Sequence, residues 1–202
     1  MNRSEIKTLL DFFENKRERT ISIIDYGNVE KWKNSLGWNI GIKELSQLVK
    51  NFSYGSQELR RFYYGKDYGP NEKSGLLVDW SRIILEKARN HRFELCTKRV
   101  KYIHDGDDFD KKCDLDVEMS VDLIKLRDSY DSIILFSGDG DLMCAIEYLN
   151  KEYNKECYVF GARNHVGREV FDAKANRIVK NVIFVEDFEY RLRWNRFNGR
   201  AY

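Results

Sequence analysis

The chain has 202 residues, 42% hydrophobic and 14% aromatic, so it can bury a substantial core and is not intrinsically disordered. Its 35 basic and 33 acidic residues leave a net charge of +2, so the overall balance does not indicate a nucleic-acid-binding protein. No run approaches the ~18 apolar residues of a membrane span, and the N-terminus lacks the apolar segment of a secretory signal. The four cysteines are scattered without a C-x-x-C pair. We therefore expect a single-domain cytoplasmic protein with reduced thiols, no membrane partner and no zinc site.

Short apolar runs alternate with segments of helical periodicity along most of the chain. Residues 1–19 are predicted to form a helical extension, because apolar residues recur at helical spacing from Ile6 to Phe13. The predicted strands are 21–24, 59–64, 93–103, 132–136, 156–160 and 182–185. This alternation predicts an α/β fold over residues 20–187, with a mainly parallel sheet covered by helices on both faces. Residues 188–202 form a basic, aromatic C-terminal extension.

Aspartates lie where several predicted strands end. Asp25 directly follows the first apolar run, Asp139 and Asp141 follow the fourth, and Asp116 opens the helical segment after the third. In open α/β sheets, ligands bind beyond the carboxyl ends of the strands, so these carboxylates should meet at one edge. Because clustered carboxylates repel one another, a divalent cation held by Asp25, Asp116 and Asp139 is the simplest explanation. An all-oxygen site favours Mg²⁺ or Mn²⁺.

Two neighbouring residues extend this candidate site. Asp141 is expected either to cap the following helix or to reach the metal, directly or through water. Asn28, three residues after Asp25, offers a neutral oxygen to a metal, a water or a phosphate. A site of this kind activates water and stabilises charge that builds on a phosphodiester, which is the chemistry of a metal-dependent nuclease.

Geometry separates Asp122 from the other acidic residues. It lies about 9 Å along the predicted helix from Asp116 and about 120° around it, so the two cannot easily bind one ion. Asp122 is therefore assigned a supporting role at most. Together with Asp114 and Glu118 it forms a series spaced by four residues, which is typical of a solvated helical stripe.

Three motifs resemble those of NYN domains. Asp25-Tyr26-Gly27-Asn28 resembles the motif D-x-x-N, and Ser137-Gly138-Asp139-Gly140-Asp141-Leu142 resembles S-G-D-x-D-F. Between them, the segment from Lys112 to Asp122 resembles a lysine followed shortly by D-V-x-L-x-x-D. The order and spacing match across roughly residues 20–187. The chain departs from the family pattern in the acidic run at 105–110 and in Leu142, which replaces the more usual aromatic residue.

NYN domains belong to the PIN-like nuclease group, so the resemblance carries expectations about fold and chemistry. It implies a Rossmann-like three-layer α/β/α sandwich and a ribonuclease that uses Mg²⁺ or Mn²⁺. It also implies that Asp25, Asp116 and Asp139 are catalytic metal ligands, with Asp141 close to the ion. The expected supporting residues are Asn28, Asp114, Asp122 and Ser137.

Basic residues near the predicted site and in the C-terminal extension suggest an RNA partner. Two arginines follow the fifth predicted strand and are expected at the same sheet edge as the metal. In the extension, aromatic and basic residues alternate, which suits stacking and phosphate contacts with single-stranded RNA. The candidate RNA-binding residues are Arg163, Arg168, Arg191, Arg193, Trp194 and Arg196. The alternative for the extension is a terminal helix that packs Leu192 and Trp194 on the core, and the aromatic residues also leave homodimer formation open.

Together these features predict a metal-dependent ribonuclease. An endoribonuclease is the working assignment, although the residues do not distinguish it from an exonuclease. One alternative is a catalytically inactive RNA-binding or adaptor module of the same fold, which would bind RNA without metal-dependent cleavage. Another is a metal-dependent phosphatase or nucleotidase for small molecules, which would need a closed pocket rather than an open basic groove.

Overall fold

A central parallel sheet organises the computed structural model, which describes residues 3–16, 18–52, 59–70, 75–105 and 108–194. The strands are β1 (Thr20–Asp25), β2 (Leu59–Lys66), β3 (Glu94–Arg99), β4 (Lys101–Asp105), β5 (Asp108–Lys112), β6 (Ser132–Phe136), β7 (Glu156–Gly161) and β8 (Val179–Phe184). Six of them form one sheet in the order β3-β2-β1-β6-β7-β8, and every neighbouring pair is parallel. The predicted α/β fold with a mainly parallel sheet is thus confirmed.

Helices cover both faces of this sheet and enclose two hydrophobic cores. The helices are α1 (Arg3–Lys16), α2 (Tyr26–Lys31), α3 (Lys33–Leu36), α4 (Ile42–Val49), α5 (Asp79–Asn90), α6 (Asp116–Lys125), α7 (Met143–Tyr153), α8 (Arg168–Ala175) and α9 (Glu189–Leu192). The first core lies under α1, α2, α4, α5 and α9, and the second lies under α6, α7 and α8. Successive strand residues point to opposite faces, so Ile23 enters the second core and Ile24 the first. This arrangement is the expected three-layer sandwich.

The helices are short compared with a membrane span. The longest helix in the described part of the chain is α1, with 14 residues. Among the described residues, no helix combines the length and the apolar character that crossing a bilayer requires.

The segment predicted as one strand at residues 93–103 divides into two. After β3, the chain leaves the sheet, and β4 pairs antiparallel with β5 to form a separate hairpin. The hydroxyl of Tyr102 and the ammonium of Lys111 donate to the carboxylate of Asp67 at 2.5 and 2.9 Å, which anchors the hairpin to the loop after β2. The acidic run at 105–110, predicted as a loop, therefore belongs in part to this hairpin. The strand prediction was wrong because an extended pattern is the same whether a strand stays in the sheet or leaves it.

The N- and C-terminal extensions pack on the first core where the structure describes them. Ile6 and Phe13 of α1 are buried, and the ring centroid of Phe13 lies 4.8 Å from that of Phe52. Leu192 of α9 is fully buried in the same core. Residues 195–202 lie outside the described residues. These contacts join both extensions to the sandwich as far as residue 194.

Candidate metal centre

The two central strands, β1 and β6, lie side by side, and their following helices cover opposite faces. Helix α2, which follows β1, packs in the first core, whereas α7, which follows β6, packs in the second. Where the helices that follow two neighbouring strands run to opposite faces of a sheet, a crevice forms beyond the carboxyl ends of those strands. Asp25 is the last residue of β1, and the motif that begins at Ser137 directly follows β6. The crevice is therefore lined by the first and third motifs.

Three carboxylates converge in this crevice. Asp116 is the first residue of α6, and Asp139 and Asp141 lie in the turn between β6 and α7. One carboxylate oxygen from each residue lies within 4.8 Å of the other two, and we name these three residues the acidic group. Asp116 and Asp139 are half-buried, whereas Asp141 is exposed, so the group opens to solvent. A set of carboxylate oxygens is the donor set that suits Mg²⁺ or Mn²⁺.

Hydrogen bonds within the turn after β6 fix two members of the acidic group. The hydroxyl of Ser137 accepts from the N–H of Asp139 at 3.2 Å, and Oδ1 of Asp139 accepts from the N–H of Asp141 at 3.1 Å. Gly138 packs closely on the loop after β7, because a Cβ at this position would lie 1.7 Å from the carbonyl oxygen of His165. The turn thus needs a residue without a side chain here.

Asp25 lies beside the acidic group but is not one of its three converging members. Its Oδ1 accepts from the N–H of Asn28 at 3.1 Å, which caps α2, and its Oδ2 accepts from the hydroxyl of Ser137 at 3.0 Å. Burial raises the pKa of Asp25, the charge of Asp139 adds to this shift, and the two hydrogen bonds oppose it. The structure therefore brings together three of the four predicted metal ligands and places the fourth next to them.

The electrostatics of the acidic group explain why a cation would fit. Burial raises the pKa of Asp116 to about 7, and its hydrogen bond with Asp114 and the charges of Asp114, Asp139 and Asp25 act in the same direction. The pKa of Asp114 is lowered instead, chiefly because its carboxylate accepts from the N–H of Asp116 at 3.1 Å. The repulsion among these groups is relieved either by a proton or by a cation.

Asn28 connects the two central loops. Its side-chain oxygen accepts from the indole N–H of Trp32 at 2.8 Å and from the N–H of Gly138 at 3.3 Å. Within the described ranges, no group accepts a hydrogen bond from its amide nitrogen. Asn28 can therefore hold the two loops together and still donate to a ligand in the crevice.

Asp122 belongs to a different network on the same helix. Its Oδ2 accepts from the guanidinium of Arg61 at 2.9 Å and from the hydroxyl of Tyr63 at 2.7 Å. One turn earlier, Glu118 pairs with Lys98 at 2.7 Å. Glu118 and Asp122, which were expected to lie on a solvated stripe of the helix, therefore face β3 and β2 and fix the position of α6. Sequence reasoning missed Arg61 and Tyr63, because nothing in their spacing links them to Asp122.

Two of the candidate RNA-binding arginines follow β7, at the carboxyl edge of the sheet. The guanidinium of Arg163 pairs with Asp187 at 3.3 Å and lies over the ring of Phe184. Arg168 is the first residue of α8, and its side chain is 89% exposed, with a longer contact of 3.7 Å to Asp172. Arg168 is thus the more accessible of the two for a phosphate.

The other candidates lie at the C-terminal end of the described chain. Arg191 donates to the hydroxyl of the adjacent tyrosine at 3.1 Å, and Arg193 pairs with a glutamate of α9 at 2.7 Å. The N–H of Trp194 donates to the carbonyl of Asn39 at 2.8 Å, which ties this segment to the loop before α4. Arg196 lies outside the described residues. Arg193 and Trp194 line one surface pocket together with Asp187, the partner of Arg163. The grouping of all the candidates on one RNA-binding surface stays a prediction.

Comparisons with known proteins agree with the fold and with the three motifs. The profile of the NYN domain family matches residues 19–181, which confirms the resemblance inferred from the motifs. A curated relative, "Low amplitude and bright protein LabA" of Synechococcus elongatus, is 35% identical over 98 residues. This match covers 46% of the chain and 52% of LabA, so the chain spans about half the length of that relative. The crystal structure of VPA0982, a protein of unknown function from Vibrio parahaemolyticus, has a TM-score of 0.60 at 23% identity. It covers 85% of this chain and 95% of its own, and it supports the fold alone.

Proposed function

Because the chain belongs to the NYN domain family, whose members are typically nucleases, we propose that it is a metal-dependent ribonuclease. It would hydrolyse RNA phosphodiester bonds at a Mg²⁺ or Mn²⁺ site. The observation that carries this proposal is the convergence of Asp116, Asp139 and Asp141 within 4.8 Å. They lie beside Asp25 at the point where the strand order of the sheet reverses, which is where open α/β sheets bind ligands.

The acidic group would provide the ligands for the cation. Asp116, Asp139 and Asp141 would hold it, and Asp25 would complete its surroundings directly or through water. When bound, the cation supplies water activation and neutralises charge on the phosphate. The two hydrogen bonds to Asp25, from Asn28 and Ser137, keep its carboxylate in one orientation. A carboxylate held this way is placed to accept a hydrogen bond from the attacking water.

Other residues of the crevice would position the RNA. The amide nitrogen of Asn28 can donate to a non-bridging phosphate oxygen while its oxygen holds Gly138. Arg168, exposed at the same edge, can contact a further phosphate. These contacts recognise the backbone, so they favour cleavage with little dependence on base sequence.

The geometry favours a nuclease over the two alternative functions. A module that only binds RNA gains nothing from three converging carboxylates, because without a cation they repel phosphate. A phosphatase for small molecules needs an enclosed site. Here Asp141 is exposed, and the acidic group opens to solvent.

The direct test is cleavage of a labelled single-stranded RNA with and without Mn²⁺. We expect Mn²⁺-dependent cleavage by the wild type and at least a ~100-fold loss in Asp139→Asn, since removing even an outer partner of a metal ligand costs ~10–100-fold. Asp128→Asn is the matched control, because the side chain of Asp128 is exposed in a short 3₁₀ helix after α6. It should cleave like the wild type.

Two results would contradict the proposal. Equal cleavage by Asp139→Asn and by the wild type would refute the assignment of the site. No cleavage of several RNA and DNA substrates by the wild type, with retained RNA binding, would favour the binding module instead. Label released as single nucleotides or as longer fragments would separate exonuclease from endonuclease action.

A further inference from the structure

A pocket of about 330 Å³ opens on the side of α2, close to the candidate metal centre. Its apolar lining includes Tyr26, Val29 and Ile40. Two tryptophans also line it and remain largely accessible, with Trp80 55% and Trp194 44% exposed. We name this feature the indole pocket. Exposed indoles at a concave site provide flat apolar faces for a planar ligand.

Contacts within the protein hold both indoles in place. The ring N–H of Trp80 donates to a carboxylate oxygen of Glu30 at 2.6 Å. The backbone N–H of Trp194 is bonded to Asn39, and the ammonium of Lys87 lies 5.9 Å from the centroid of the Trp194 ring. The indoles are thus oriented before any ligand arrives, which lowers the entropy that binding would cost.

The lining of the indole pocket carries two lysines, one amide side chain and one carboxylate, that of Glu30, which accepts the hydrogen bond from Trp80. Lys33 and Lys87 both line it, and no described carboxylate forms a salt bridge with either lysine. In the part of the chain that the structure describes, the side-chain amide of Asn39, also in the lining, has no hydrogen-bond partner. Ammonium groups and an unpaired amide suit a ligand that has an aromatic ring with polar edge groups and a negatively charged group attached to that ring system. A nucleotide has this combination.

The indole pocket and the candidate metal centre are linked by adjacent residues of the chain. Tyr26, which lines the pocket, directly follows Asp25, which lies beside the acidic group. Helix α2 has six residues, and its length is therefore about 9 Å. A strand with a phosphate at the acidic group can therefore reach the pocket with a neighbouring base.

We propose that the indole pocket binds an unpaired nucleobase of the RNA substrate, stacked on Trp80 or Trp194. The proposal rests on the proposed ribonuclease function and adds a substrate class to it. A base that is paired and stacked in a duplex cannot enter a pocket of this kind, so the pocket selects single-stranded RNA close to the cleavage point.

The test measures RNA binding without cleavage, in the full chain carrying Asp139→Asn, by fluorescence anisotropy with Mg²⁺ present. Adding Trp80→Ala should weaken the binding of a short single-stranded RNA about 5- to 100-fold, the range for loss of one base–aromatic stack. Trp80→Phe, which keeps a ring, should retain most of the affinity. Tyr153→Ala is the control, because Tyr153 is an exposed aromatic residue of α7 on the opposite face of the sheet.

A second measurement uses the same RNA with one base removed at successive positions. The indole pocket predicts that one position matters far more than the others, and that this position effect disappears in Trp80→Ala. The first part of this experiment uses the unaltered pocket. An equal effect at every position would therefore overturn the proposal even if Trp80→Ala fails to fold, which thermal unfolding would reveal.

The outcomes separate this proposal from the one on which it rests. If Trp80→Ala and every base-free RNA bind normally while the wild type still cleaves RNA, the pocket proposal is overturned and the ribonuclease stands. If no RNA binds and the wild type cleaves none, both proposals are overturned.

Discussion

Two aspartates of the same helix, Asp116 and Asp122, have opposite surroundings. Asp122 accepts hydrogen bonds from Arg61 at 2.9 Å and from Tyr63 at 2.7 Å, so its charge is balanced by the chain itself. Asp116 faces two further carboxylates within 4.8 Å, and its charge is not balanced in this way. Both belong to one sequence motif, yet Asp122 is paired within the chain, whereas Asp116 lies among carboxylates whose repulsion a cation would relieve.

The largest expected effect is on the free energy of unfolding, at Asp122, whose charge is balanced by Arg61. Asp122→Ala leaves Glu94 as the one carboxylate that pairs with Arg61 among the described residues, and the side chain of Arg61 is only 13% exposed. It also removes the acceptor of Tyr63. We expect the free energy of unfolding to fall by about 2–3 kcal/mol, less than for a fully buried pair. Urea denaturation measures this change.

The control for Asp122→Ala is Asp128→Ala, since Asp128 is exposed shortly after the same helix. It should change the free energy of unfolding by less than about 0.5 kcal/mol. An equal and small effect for the two variants would show that the network around Asp122 does not stabilise the protein.

A smaller effect is expected on the affinity of the acidic group for the cation. The pKa of Asp116 is raised to about 7, and a cation binds the ionised carboxylate. Lowering the pH from about 8 to about 6 should therefore weaken Mn²⁺ binding roughly tenfold, as measured by calorimetry. Asp122→Asn should keep this pH dependence, whereas Asp116→Asn should bind weakly at every pH. A wild-type affinity that stays constant over this interval would disagree with the raised pKa.

The smallest effect concerns the protein without metal. Because the folded-state pKa of Asp116 lies above its unfolded value, its ionisation favours unfolding. The associated stability is complete below about pH 4 and is lost as the pH rises through about 7. Asp116→Asn should avoid this loss and gain about 1 kcal/mol at pH 8 with a chelator present, after allowance for solvent screening. Thermal unfolding of both proteins at pH 8 and near pH 4 checks this expectation. A gain of the same size near pH 4 would contradict it.

The sequence was sufficient to predict which aspartates end the strands beside the candidate site. It was not sufficient to predict contacts between residues that are remote in sequence. Asp25 and Asp139 could be placed because each follows a buried apolar run, and parallel strands bring such ends to one edge. The hairpin at residues 101–112 could not be predicted, because its anchor, Asp67, is remote in sequence. The indole pocket escaped for the same reason, since α2, α5 and Trp194 meet only after folding.

The hydrogen bond between Ser137 and Asp25 joins residues that are 112 positions apart. During translation at roughly 5–20 residues/s, Asp25 therefore leaves the ribosome on the order of 10 s before its partner. Until β6 docks against β1, the carboxylates of the third motif have not been synthesised or have not reached the crevice. The acidic group is consequently a late product of folding, and a nascent chain that still lacks β6 has not assembled the candidate metal centre at this sheet edge.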